Sequence, residues 1–180
     1  MNATNHADLL VRNIDWLITV DGTRRVIRDA AIAVKDGKFA AVGKTQAINE
    51  AWRAKRVIDG AGTVATPGLI DNHLHSSFQL ARGLADESNA QSFLFEHMYP
   101  YEAAMEEEDV AVSVTLAALE MLRHGVTCYI EPGNYHPEAT VRAVMGAGMR
   151  MVLAVSCFDQ NKAVTGLMPA RMLSTMAWAP

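Results

Sequence analysis

His73 and His75 stand two residues apart in the run Pro67-Gly68-Leu69-Ile70-Asp71-Asn72-His73-Leu74-His75. Alternate side chains of an extended strand share a face, so this spacing puts Asp71, His73 and His75 on one side. Two imidazoles so placed can bind one metal ion through their ring nitrogens, at about 2.0–2.1 Å if the ion is zinc. The apolar Leu69, Ile70 and Leu74 predict a buried strand with the histidines at its C-terminal mouth, where barrel enzymes carry their chemistry. A bare His-X-His has a second reading, in which one ring satisfies a core hydrogen bond and the other faces water.

Four further residues are candidates for meeting a substrate. Gln79 and Arg82 follow the histidine strand and could reach a substrate's polar edge, or else cap a helix and bond at the surface. Glu131 and His136 bracket the turn Glu131-Pro132-Gly133-Asn134-Tyr135-His136, which follows a later strand at the same mouth and could line a pocket. A solvated loop histidine is the commoner fate of a residue such as His136. The remaining chemistry-bearing groups read as structural. His97 belongs to a helical stretch, His124 to a helix C-terminus, and Glu106 to Asp109 to a helix N-terminus. Cys128 has no adjacent base and reads as packing.

The elements that would position these residues change character near Pro67. Before it, Asp8 to Ile14, Trp16 to Val20, Asp29 to Lys35, Phe39 to Gly43, Arg56 to Asp59 and Thr63 to Thr66 read as strands. Asp36-Gly37 is the strongest hairpin signal, and Thr45 is available as N-cap of a short helix to Ala54. This half reads as a small antiparallel β-structure. After Pro67 the rhythm is strand, helix, strand, helix, strand: Gly68 to His75, Glu106 to His124, Val126 to Ile130, Pro137 to Gly146 and Met149 to Cys157. Such repetition predicts parallel strands with helices packed outside. The expected division is 1–66, 67–160 and an unassigned tail, 161–180.

Composition sets the outer limits. Half of the 180 residues are hydrophobic, 20% are charged and the net charge is −4. These values exclude a disordered charged tail and argue against nucleic acid as a partner, since phosphate binding needs a basic surface. No stretch approaches the roughly 20 apolar residues of a membrane span, and the first residues lack a signal-peptide pattern. Cys128 and Cys157 read as reduced, buried thiols. The expectation is a soluble, cytoplasmic, globular α/β chain.

The run Val57-Ile58-Asp59-Gly60-Ala61-Gly62-Thr63-Val64-Ala65-Thr66, followed by the His73/His75 element, resembles the opening of the metal-dependent amidohydrolase superfamily. Gln79-Leu80-Ala81-Arg82-Gly83 and Leu122-Arg123-His124-Gly125-Val126-Thr127 are similar to the subgroup of triazine chlorohydrolases and deaminases of guanine, adenosine derivatives and related heterocycles. The resemblance runs from about Asp8 to about Asp159. It implies a (β/α)8 TIM-type barrel beside a small β-sandwich, with His73 and His75 as metal ligands of the first barrel strand. It also implies one divalent ion, zinc or iron, that activates water for hydrolytic deamination of a nitrogen heterocycle. Dechlorination and amide or urea hydrolysis are the neighbouring chemistries.

Pro67 to Pro180 is less than half of the about 250 residues of a whole barrel. The expectation is therefore a partial barrel of three βα units, lacking the family's later ligands and its acid/base carboxylate, and inactive alone. The alternative is a non-catalytic module that self-associates through its open barrel edge or pairs with a full-length relative.

Overall fold

The computed structural model describes residues 4–155, 157–158 and 177–178. The chain divides into two compact units, Met1–Pro67 and Gly68–Pro180.

In the first unit, strands β1 (Asn5–Ile18), β2 (Val26–Lys35) and β3 (Lys38–Lys44) form an antiparallel meander. Asp36 and Gly37 close the β2–β3 hairpin with φ of 50° and 71°, the double positive φ that a type I′ turn demands. Helix α1 (Thr45–Ala51) then carries the chain back across the sheet to β4 (Trp52–Asp59), and β5 (Val64–Ala65) follows. The sheet order is β3-β2-β1-β4, with β5 also pairing β1.

Three expectations are corrected here. The unit is mixed rather than antiparallel, because the α1 crossover returns β4 parallel to β1, and β5 is parallel to β1 as well. The two predicted N-terminal strands are one, kinked where the β1–β2 register shifts between Val11 and Ile14 and Asn13 adopts φ 58°. Lys44, not Thr45, occupies the cap position of α1, and the Thr45 hydroxyl instead accepts a 3.1 Å bond from the Asn13 backbone N–H. Adjacent Ala30 and Ala31 are both fully buried, in separate apolar clusters.

The second unit is built on the parallel sheet β6-β7-β8: β6 (Leu69–Asp71), β7 (Val126–Glu131) and β8 (Arg150–Leu153). Between β6 and β7 run a 3-10 helix (Ser76–Ala81), α2 (Ala90–Ser92), a π-helical turn (Phe93–Met98), α3 (Tyr99–Ala104) and α4 (Glu107–Arg123). Glu106 and Asp109 cap α4 reciprocally, each side chain accepting the other's backbone N–H, and Gly125 takes φ 82° just past its end. Helix α5 (Pro137–Ala147) starts on proline and ends on Gly148 in the left-handed region, φ 73°.

Val110, Val114, Ala117, Ala118 and Met121 of α4 pack with Tyr129, Ala139, Val144 and Met149 as the core of this unit. Gly68 lets the chain entering β6 pass against Thr127, whose side chain would overlap any Cβ there. Two short strands, β9 (Cys157–Phe158) and β10 (Ala177–Trp178), pair in parallel. The rest of the predicted tail, and the Cys157 side chain, lie outside the described residues. Among the described residues no helix is long and apolar enough to cross a membrane.

Two further expectations fail in this unit. The strand predicted over Gly68 to His75 stops at Asp71, because the Asp71 carboxylate accepts the His73 backbone N–H at 3.0 Å and turns the chain. Leu69 and Ile70 are 58% and 61% exposed rather than buried. The sheet's apolar core lies on the side of Tyr129 and Met151, and Ile70 pairs in register with Cys128, one residue out of phase with them.

Candidate active site

His73 and His75 lie just past the C-terminal end of β6, on a turn rather than on the strand itself. Their rings meet edge to face with centroids 5.2 Å apart. The segment stays attached to the sheet because the Leu74 N–H donates to the Ile130 carbonyl at 3.0 Å. His73 is exposed, while His75 is half-buried and stacks on Phe78 at 5.1 Å. Burial lowers the His75 pKa; the Glu131 carboxylate opposes this shift and His73 adds to it. The ring is therefore biased toward the neutral form that ligates metals.

Glu131 ends β7 and is completely buried. It accepts from the Ser76 backbone N–H at 2.8 Å, the Ser76 hydroxyl at 2.5 Å and the Gly133 N–H at 3.3 Å. Three donors make a buried carboxylate tolerable. Its Oε1 also lies 3.9 Å from His75 Nδ1, which is the buried side-chain polar atom without a hydrogen-bond partner among the described residues. The arrangement resembles a histidine ligand awaiting its orienting carboxylate.

The other candidates are placed differently. Gln79 and Arg82 both bond to Glu120 on α4, Arg82 in a two-pronged ion pair at 2.6 and 3.1 Å. His136 precedes α5, its Nε2 3.2 Å from the Met105 carbonyl and its N–H held by Asn134. The structure thus brings His73, His75 and Glu131 together, whereas Gln79 and Arg82 are engaged with α4 and His136 with the chain before it.

A buried polar network beneath the histidines escaped the sequence reading. The Tyr129 hydroxyl donates to the Ser76 hydroxyl at 3.2 Å, and Ser113 of α4 bonds the Ser76 and Ser77 carbonyls at 2.9 and 2.8 Å. The Ser77 hydroxyl donates to Glu102 at 3.1 Å. Burial is the main cause that pushes the Glu102 pKa up to about 7. The available signal was Ser76-Ser77 directly after His75, two small polar residues where a helix was about to pack.

The donor set fits part of a metal centre. Two imidazoles converge at the C-terminal edge of a parallel sheet, but no group of three or more His, Cys, Asp or Glu residues suited to an ion occurs among the described residues. His73 and His75 could hold an ion jointly, and further donors would have to complete its shell.

Solved structures share this architecture. An adenosine deaminase from Xanthomonas campestris with bound zinc superposes with a TM-score of 0.80 over 98% of this chain and 43% of its own, at 24% identity. Atrazine chlorohydrolase from Arthrobacter aurescens TC1, complexed with zinc, gives 0.79 over 95% and 40%, at 25% identity. The model of the amidohydrolase family matches residues 64–175, and the chain belongs to that family.

Among curated relatives, a 5-methylthioadenosine/S-adenosylhomocysteine deaminase from Nitratidesulfovibrio vulgaris strain DP4 is 38% identical over 142 residues, which are 79% of this chain and 32% of the relative. A 5'-deoxyadenosine deaminase from Methanosarcina acetivorans is 33% identical, covering 82% and 33%. The chain spans about a third of the length of these relatives.

Proposed function

We propose that the chain is the metal-ligand-bearing first part of a metal-dependent hydrolase that deaminates a nitrogen heterocycle, and that His73 and His75 hold its divalent ion, zinc in preference to iron. The observation that carries this reading is the juxtaposition of His73, His75 and the buried Glu131 at the C-terminal edge of the β6-β7-β8 sheet. When bound, such an ion supplies the Lewis acidity that activates water toward an electron-poor ring carbon.

The chain's own residues prepare that chemistry. Glu131 faces His75 Nδ1 and favours the tautomer with its proton there, which leaves Nε2 free to ligate. Ser76 and Ser113 fix the turn that carries the ring. The deaminase names of the relatives favour an adenosine-type substrate over a triazine. In this reading β6, β7 and β8 are the first strands of a barrel, the first unit contributes to a small β-sandwich, and later ligands and the acid/base carboxylate come from further strands. A cytoplasmic site of action belongs to the same reading.

The absence of a third ligand among the described residues favours one alternative, a non-catalytic module that associates with another chain. Elemental analysis after gel filtration without chelator tests the ligand pair. The expected result is about one ion per chain or per two chains, lost in His73→Ala/His75→Ala. Metal content unchanged by the double substitution would refute the pairing. Ammonia release from 5'-deoxyadenosine by the metal-loaded protein tests the chemistry separately.

A further inference from the structure

Helix α4 grips the segment that follows the histidines at two levels. At the first, the fully buried Ser113 hydroxyl donates to the Ser76 and Ser77 carbonyls at 2.9 and 2.8 Å and accepts the Leu80 N–H at 3.4 Å. At the second, Glu120 accepts two bonds from Arg82, at 2.6 and 3.1 Å, and one from the Gln79 amide. Ser113 and Glu120 stand seven residues apart, which places them on one face of the helix and about 10 Å apart along its axis.

His75 is the residue on which the gripped 3-10 helix starts. It occupies the cap position, its carbonyl accepts the Phe78 N–H at 3.1 Å, and its ring stacks on Phe78 with centroids 5.1 Å apart. Glu131 holds Ser76 from the β7 side, but anchors at the first turn alone would leave the far end of so short a helix free to pivot. Such a pivot carries Phe78 past the imidazole. The bonds of Glu120 to Gln79 and Arg82 oppose it. The Arg82 and Glu120 side chains are 65% and 42% exposed, and an ion pair so placed adds little to global stability. Its consequence lies in where it sets the 3-10 helix.

We propose that Glu120 is a positioning residue for His75. By holding Gln79 and Arg82 against α4, it keeps Phe78 stacked on the imidazole and the ring beside His73. The effect on metal binding rests on the reading of His73 and His75 as ligands, whereas the placement of the ring does not. Ser113 is the buried half of the same grip, and Glu120 is the half that can be altered without opening the core.

Two measurements on the full 180-residue chain test this. In the metal-free protein, the NMR signals of the His75 ring, assigned by their loss in His75→Ala, should move upfield under the Phe78 ring and show cross-peaks to it. Glu120→Ala and Arg82→Glu should each lose most of that contact with the urea midpoint nearly unchanged, and Arg82→Glu/Glu120→Arg should restore it. Zinc titration against a chromophoric chelator should show about tenfold weaker binding in each single variant, the low end of what a lost ligand-orienting partner costs, and recovery in the swapped pair. An unchanged His75–Phe78 contact in Glu120→Ala, zinc binding as tight as in a zinc-binding wild type, or a swapped pair that recovers neither property would each overturn the proposal. A wild-type chain that binds no zinc but shows the expected NMR changes would overturn the ligand reading and uphold the positioning role of Glu120.

Discussion

His75 Nδ1 and Glu131 Oε1 face each other at 3.9 Å across a space buried from water, too far for a hydrogen bond and close enough to become one with a small rotation of the ring. The carboxylate is already anchored by Ser76 and Gly133, so the imidazole is the partner that would move.

Glu131→Ala should cost about 3 kcal/mol in urea unfolding, because it strands the Ser76 N–H, the Ser76 hydroxyl and the Gly133 N–H. Glu131→Gln should retain most of the stability while weakening zinc binding roughly 10–100-fold, since an amide sets the wrong tautomer at His75. Zinc affinity equal to wild type in a folded Glu131→Gln protein would remove Glu131 from any orienting role.

Glu102 gives the fold a pH dependence of definite sign. Its carboxyl rises from 4.5 to about 7 on folding, so the folded state holds the proton that the unfolded state has released. Stability is then greatest below about pH 4.5 as far as this group is concerned, falls as pH climbs to about 7, and levels off beyond. The loss is at most about 3 kcal/mol. Glu102→Gln, which mimics the protonated acid, should flatten that part of the stability–pH curve. An identical slope in wild type and variant would assign it to other groups.

Gly68→Ala should destabilise the second unit by about 1–3 kcal/mol, since the added methyl meets the Thr127 side chain. Thr127→Ala in the same protein should recover part of the loss, as a thermal-melt double-mutant cycle would show. Strictly additive effects would mean that the backbone, not this contact, requires glycine at 68.

How much of this was readable depends on the range of the interaction. The Asp36-Gly37 hairpin and the capped α4 are written in neighbouring residues and follow from turn chemistry and helix periodicity alone. The parallel β1–β4 pairing depends on where α1 delivers the chain, which no local pattern records. At the site, the spacing of His73 and His75 marked two rings that the structure brings together, but the strand expected to carry them yields at Asp71 to a side-chain-to-backbone bond. The turn Glu131–His136 makes Glu131 legible as a residue of the sheet's mouth. Its burial could not be foreseen, because its partner Ser76 lies 55 positions earlier and meets it only when β6 and β7 pair. Gln79 and Arg82 were drawn away for a similar reason, since Glu120 comes into reach only once α4 packs.

The position of β1 also has a consequence in time. β1 is paired on both sides, by β2 directly after it and by β4 and β5 only once residues 52–65 exist. At about 5–20 residues per second, a ribosome needs roughly 1–4 s to add the 20 or so residues from the end of β3 at Lys44 to the end of β5 at Ala65. Through that interval the β1–β2–β3 meander exists with one side of its first strand unsatisfied. A pause in translation before Trp52 would prolong that exposure.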